Sequence, residues 1–139
     1  MIDAGVEDTG VNCYADGSIM FAMFTNQNKF KTNYPAFEFA YYYGKNGHNI
    51  TSGSTFKNGW YLPSESELND IYQANKTDNV IENALEVTGG DKFNGTWYWS
   101  SSQYASNAYL ACTLGFNSGA WGSSNKTKSS CVCAIRAFN

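Results

Sequence analysis

The stretch Asn58-Gly59-Trp60-Tyr61-Leu62-Pro63-Ser64-Glu65-Ser66-Glu67-Leu68 decides the fold. Ser64 and Glu67 stand three residues apart, the spacing of a capping box: the serine caps an early helical N–H and the glutamate reaches back. Glu65, Glu67 and Asp70 crowd the first turns, where the helix dipole favours negative charge. Leu68, Ile71 and Tyr72 then fall on one face and are expected to point inward. The paired carboxylates are therefore read as helix-starting groups and not as an acid/base pair.

Working outward from this start, Pro35 opens a second helical stretch through Tyr43, closed by Gly44, with Phe37, Ala40 and Tyr41 on one face. Further upstream, Asp16-Gly17 reads as a turn before a dense apolar run, Ser18 to Phe24, expected to be a buried strand. Residues 45–57 are rich in Gly, Asn, Ser and Thr around the lone His48 and read as a loop. Downstream, Asp78 or Asn79 caps a helix from Val80 to Val87 that stops at Gly89-Gly90. All 12 Asp and Glu lie at or before Asp91, and the tail beyond it carries only Lys and Arg among charged groups. That tail reads as strands over Thr96–Ser100, Ala108–Phe116, Ala120–Ser124 and Cys131–Phe138. Helices followed by antiparallel strands make an α+β pattern, and no linker divides residues 1–139, so one domain is expected.

Composition narrows the function. Charged residues are 15% and aromatic residues 17%, with 10 Tyr, a balance suited to contact surfaces. The net charge of -3 supplies no basic stripe for nucleic acid. No apolar run reaches the roughly 20 residues of a membrane span. The opening Met1-Ile2-Asp3-Ala4-Gly5-Val6-Glu7-Asp8 lacks the pattern of a secretory signal. Cys13, Cys112, Cys131 and Cys133 match neither a zinc ribbon nor a dense disulfide framework, and free thiols with no metal or cofactor are expected. With His48 the only imidazole and no nucleophile elbow or phosphate-cradling glycine loop, the chain does not read as an enzyme. Asn49, Asn75, Asn94 and Asn125 each begin an Asn-x-Thr triplet, expected by chance in so polar a sequence.

Five motifs occur in order: Gly59-Trp60-Tyr61-Leu62-Pro63-Ser64, Glu67-Leu68, Trp97-Tyr98-Trp99-Ser100-Ser101-Ser102, Lys126, and Val132 with Ile135-Arg136-Ala137-Phe138. Together they resemble the bacterial C-type-lectin-like domains found at the C-terminus of the Legionella collagen-like adhesin and in the Fibrobacter major paralogous domain. The resemblance implies a C-type-lectin-like fold with two helices, paired terminal strands and short antiparallel sheets. Trp60, Trp99 and Ile135 would be core residues and Arg136 part of a structural hydrogen-bond network. It implies display on a cell surface or virus particle and a protein or glycan ligand on a cell surface, without nucleic-acid binding or membrane insertion. The calcium-binding tripeptides of sugar-binding animal relatives are missing, and a tail without acids lacks the oxygen ligands calcium prefers. Cys131-Val132-Cys133 faintly resembles the reactive cysteines of formylglycine-generating enzymes, without the rest of that site.

The uncharged stretch Asn107–Ser124 departs most from the family pattern. It looks like the altered region, about 103–133, of a diversity-generating retroelement variable protein. Such a region would carry a ligand face built from Tyr104, Ala105, Asn107, Tyr109, Ala111, Cys112, Leu114, Phe116, Ser118, Ala120, Trp121, Ser123, Ser124, Cys131 and Cys133. Gln103, Trp121, Lys126 and Lys128 have codons outside the set reachable by adenine mutation and are read as fixed. A fixed-sequence adhesin or carbohydrate-binding domain is the alternative.

Overall fold

A computed structural model describes residues 16–19, 34–44 and 59–137. Its elements run α1 (Pro35–Tyr42), β1 (Trp60–Tyr61), α2 (Glu65–Lys76), α3 (Val80–Thr88), β2 (Trp97–Gln103), β3 (Leu110–Gly115), β4 (Ala120–Asn125) and β5 (Ile135–Arg136). The α+β architecture expected from the sequence is what forms.

Helix α2 begins where the capping box places it. Ser64 Oγ accepts from Glu67 N at 3.2 Å, and Glu67 Oε2 accepts from Ser64 N at 2.8 Å. A further orphan donor of the first turn, Glu65 N, reaches across to Ser102 Oγ of β2 at 2.9 Å. The same Glu67 carboxylate accepts from Tyr61 Oη at 2.7 Å and from Gly17 N at 2.9 Å. One side chain thus ties together a helix start, a strand and a distant segment. Gly17 is required by this approach, because a Cβ there would stand 2.7 Å from the Ser64 nitrogen.

Helix α3 departs from expectation in its cap. Asn79 adopts a left-handed conformation with φ 51 and its side chain caps nothing. Asn75, one turn back in α2, instead presents Oδ1 to Glu82 N at 3.0 Å. At the far end, Gly89 is left-handed with φ 73, and Gly90 N closes onto Leu85 O at 2.7 Å.

Among the described residues two antiparallel sheets result. β2, β3 and β4 form the larger in sequence order, with Tyr98 opposite Leu114 and Leu114 opposite Trp121. β1 pairs with β5 in the smaller, Trp60 opposite Arg136. The C-terminal segment joins the two. Cys131 N donates to Trp97 O at 2.9 Å and Cys131 O accepts from Trp99 N at 3.0 Å, before the chain passes on to β5. The expected strand Cys131–Phe138 is therefore split into a single bridge and a short strand, Phe138 lying outside the described residues.

The core lies on both faces of the larger sheet. Trp99 and Ala111 pack with Tyr34, Phe37 and Leu62 on one side. Tyr98 and Leu114 pack with Leu68 of α2 on the other. Trp99 is buried, whereas Trp60 and Ile135 are half-buried. Residues 17–19 form a helical turn instead of the expected strand, because Asp16 Oδ1 accepts from Ser18 N at 2.8 Å and from Ser18 Oγ at 2.6 Å. The rest of that run, the 45–57 loop with His48, and Cys13 lie outside the described residues.

Replacing Glu67 by Gln removes the charge and one acceptor while three donors still converge on the site. The expected loss is about 1–3 kcal/mol of unfolding free energy, read from the urea midpoint.

Candidate ligand-recognition edge of the sheet

β2 and β3 are interior strands. From Tyr98 to Gln103 and from Ala111 to Gly115 every residue is buried, with no alternation of inside and outside. One face is roofed by Leu68 and Tyr72 of α2 and by an aromatic cluster around Phe116, which lies 4.5 Å from Tyr98 and 4.7 Å from Phe93 between ring centres. The opposite face is closed by Phe37 and Leu62.

This arrangement corrects part of the expected ligand face. Ala111 and Leu114 are wholly buried and Cys112 is 5% exposed, so none of them meets an external ligand. Phe116, Cys131 and Cys133 are half-buried and pack against the Tyr98–Leu114 cluster. The physical reason is that a sheet covered on both sides needs apolar residues at consecutive positions. The missing charge in this stretch marks an interior strand, not an exchangeable surface.

What stays outside is the free edge of the sheet and its two hairpin loops. Tyr104, Ala105, Asn107, Tyr109, Ser118, Ala120, Trp121 and Ser123 are exposed, and Ser124 is half-buried. Among the described residues no strand pairs with the outer edge of β4. The β2–β3 loop is folded on itself: Tyr104 N donates to Leu110 O at 3.0 Å, and Asn107 Oδ1 accepts from Tyr109 N at 2.9 Å. Asn107 thus shapes the loop that holds Tyr104 and Tyr109 out. Ser118 Oγ does the same in the β3–β4 turn, accepting from Ala120 N at 3.3 Å. Gly119, at φ 71, takes that turn over the Tyr72 ring.

The exposed aromatic residues fall at opposite ends of β4. Tyr104 and Tyr109 stand by the β2–β3 loop, where Tyr109 O accepts from Lys126 N at 3.0 Å. Trp121 stands near the β3–β4 turn, four strand steps or about 13 Å from the far end of β4 at Asn125. Trp97, 39% exposed and not foreseen as a contact residue, lies at the same end as Trp121 but on the opposite face. The structure gathers an edge, not a pit.

Beneath the edge, Lys126 is 2% exposed and its Nζ donates to Gln103 Oε1 at 2.8 Å. Both residues were read as fixed, but their burial had no sequence signal, since lysine is ordinarily a surface residue. The serines of the Trp99–Ser102 motif also prove structural. Ser100 Oγ donates to Cys112 O at 2.9 Å, and Ser102 Oγ caps α2. Asn125, which begins an Asn-x-Thr triplet, turns inward on it: its Oδ1 accepts from Thr127 N at 3.0 Å.

The model of the Lcl C-terminal domain family matches residues 43–136, more than half of the chain. The chain belongs to that family. Neither the curated proteins nor the solved structures gave a match. Within the Lcl C-terminal domain match lie the capping box, β1 to β5 and the exposed edge, so the framework described above is the family's portion of the chain.

Two of the thiols, Cys112 and Cys133, are held in their neutral form. Burial, then the charge and hydrogen bond of Glu65, push Cys112 up to about 12, and burial pushes Cys133 up to about 12. Such surroundings oppose the thiolate that nucleophilic chemistry needs. Among the described residues no group of three His, Cys, Asp or Glu converges to hold a metal, and no helix is long and apolar enough to cross a membrane.

The raised thiols carry a stability consequence. Above the ordinary thiol value of 9.0 the unfolded chain releases these protons while the folded chain keeps them until about 12. Stability is then full below about pH 9 and declines as the pH rises further. The urea midpoint is expected to fall between about pH 8.5 and 10, with a shallower fall in a Cys112→Ala, Cys133→Ala double variant.

Proposed function

We propose that this domain is a surface-recognition module on a C-type-lectin-like framework, binding an extended protein or glycan ligand on a cell surface. The observation that carries this reading is the exposure of Tyr104 (42%), Tyr109 (61%) and Trp121 (40%) on the loop and edge strand that border the buried strands β2 and β3. Aromatic side chains held out by a rigid frame offer large apolar contact at small entropic cost. Asn107, Ser118 and Ser123 add polar groups beside them, and Ala105, Ala120 and Ser124 leave room for a ligand to approach. A compact ligand would touch one end only, whereas an extended one lying along β4 meets both. Display on a cell surface or virus particle fits such a role, and no catalytic role is proposed.

The fixed-sequence form of this reading is favoured over retroelement diversification. Arbitrary exchange at Ala111, Cys112 and Leu114 would place new volume or polarity in a packed interior, at a cost of about 1–3 kcal/mol or more each. A fixed adhesin has no need to tolerate that exchange. An adenine-varied near-copy of the 3′ coding end beside a reverse-transcriptase gene would instead establish diversification.

A glycan array and a cell-binding assay test the proposal. One reproducible ligand preference is expected, unaffected by chelation of divalent cations, since no carboxylate lies beyond Asp91 in the sequence. Tyr109→Ala and Trp121→Ala should each weaken binding by roughly 10- to 30-fold, the range of an aromatic anchor, with the melting temperature nearly unmoved. Binding by both variants as tight as that of the unsubstituted chain would remove the exposed edge from consideration.

A further inference from the structure

A concave feature lies away from the recognition edge. A cleft of about 510 Å3 opens between α1, the α2–α3 pair and the C-terminal segment. Its size is that of a small-molecule site, and most of the residues lining it are apolar or aromatic, with polar groups among them. Helix α3 forms one wall with Ile81 and Leu85 while burying no residue of its own. The cleft is therefore an unfilled space between packed elements, not a gap within the core.

Its chemistry is selective. Four aromatic rings line it: Phe39, Tyr43, Phe93 and Tyr98. Phe39 and Tyr43 lie 5.7 Å apart between centres, and Phe93 meets Tyr98 edge-on at 5.7 Å. Tyr43 is braced from outside by Trp60 at 4.8 Å. Among the described residues only two charged ones line the cleft, Asp91 and Lys92. Lys92 Nζ is spent on Glu86 Oε2 at 2.9 Å. Among the described residues Asp91 has no ion-pair partner, and its negative charge reaches Tyr43, whose hydroxyl is pushed above its ordinary value first by burial and then by Asp91.

We propose that this cleft binds a small organic cation, an alkyl- or arylammonium whose apolar body fills the space beneath α3 and whose charge sits by Asp91 among the aromatic rings. Two independent features select the positive charge. The unpaired carboxylate attracts it, and ring faces stabilise a cation that is only weakly hydrated. An anion of the same shape meets Asp91 with repulsion and finds Lys92 already paired with Glu86. A neutral analogue keeps the apolar contact alone.

Benzyltrimethylammonium, benzyl alcohol and phenylacetate share an aromatic body and differ in charge, so they serve as probes against the whole chain. Binding is followed by titration with NMR shift mapping, and folding of each variant by circular dichroism and melting temperature. The cation should bind saturably, shift residues around Tyr43, Asp91 and Cys133, and bind better than either companion. Asp91→Asn should weaken the cation at least about fivefold and leave benzyl alcohol unchanged, the size expected of one partly exposed charge. Leu85→Trp, which fills the cleft from a half-exposed helix position, should weaken all binding at this site. Equal binding of the cation and phenylacetate, no effect of Asp91→Asn, shifts mapping to Tyr104, Tyr109 and Trp121, or no saturable binding would each overturn the proposal. Because the cleft and the β4 edge share none of these residues, failure here leaves the recognition reading untouched.

Discussion

The Glu67 carboxylate is the constraint on which the rest of the structure depends. It accepts hydrogen bonds from Ser64 N, Tyr61 Oη and Gly17 N, so it fixes at once the start of α2, the end of β1 and the approach of the 16–18 segment. An ionised acceptor makes each of these bonds stronger than a neutral pairing. The neighbouring residues extend the junction into the larger sheet. Pro63 O accepts from Ser101 N at 2.7 Å, and Glu65 N donates to Ser102 Oγ. With α2 anchored by its first turn, Leu68 is delivered onto Tyr98 and Leu114, and one face of the sheet is covered.

Covering the second face with Trp99, Ala111, Phe37 and Leu62 makes β2 and β3 an interior slab. Burying each large apolar side chain contributes about 1.5–3 kcal/mol, so the centre of the sheet is where stability resides and where substitution is least tolerated. Function is pushed outward by the same packing. The edge strand β4 and the loops at its two ends are the portions of the sheet that neither roof covers. The buried Lys126–Gln103 bond stiffens the loop end from below. Tyrosine and tryptophan placed on such supports lose little freedom on binding.

The uncharged stretch Asn107–Ser124 is where sequence and structure diverge most. Leu110 to Gly115 carries consecutive apolar or small residues, a pattern that fits a strand buried on both faces as well as a surface emptied of charge. Departure from the family pattern does not imply exposure: Ala111, Cys112 and Leu114 depart from it and are buried. The continuous apolar run was the signal that pointed inward. Tyr104, Tyr109 and Trp121 lie outside that run, in the β2–β3 loop and on the edge strand, and are exposed.

By itself the sequence determined the α+β order, the start of α2 and the stop of α3, because caps and glycine stops act through hydrogen bonds and backbone conformation within a few residues. The order of its motifs also determined family membership. Only the tertiary structure decided which face of each strand sees water, that Lys126 is buried, that Asn75 and not Asn79 serves α3, and that a cleft opens beside Asp91. Those outcomes depend on which distant surfaces close over one another, and neither periodicity nor composition encodes the partner that covers a face.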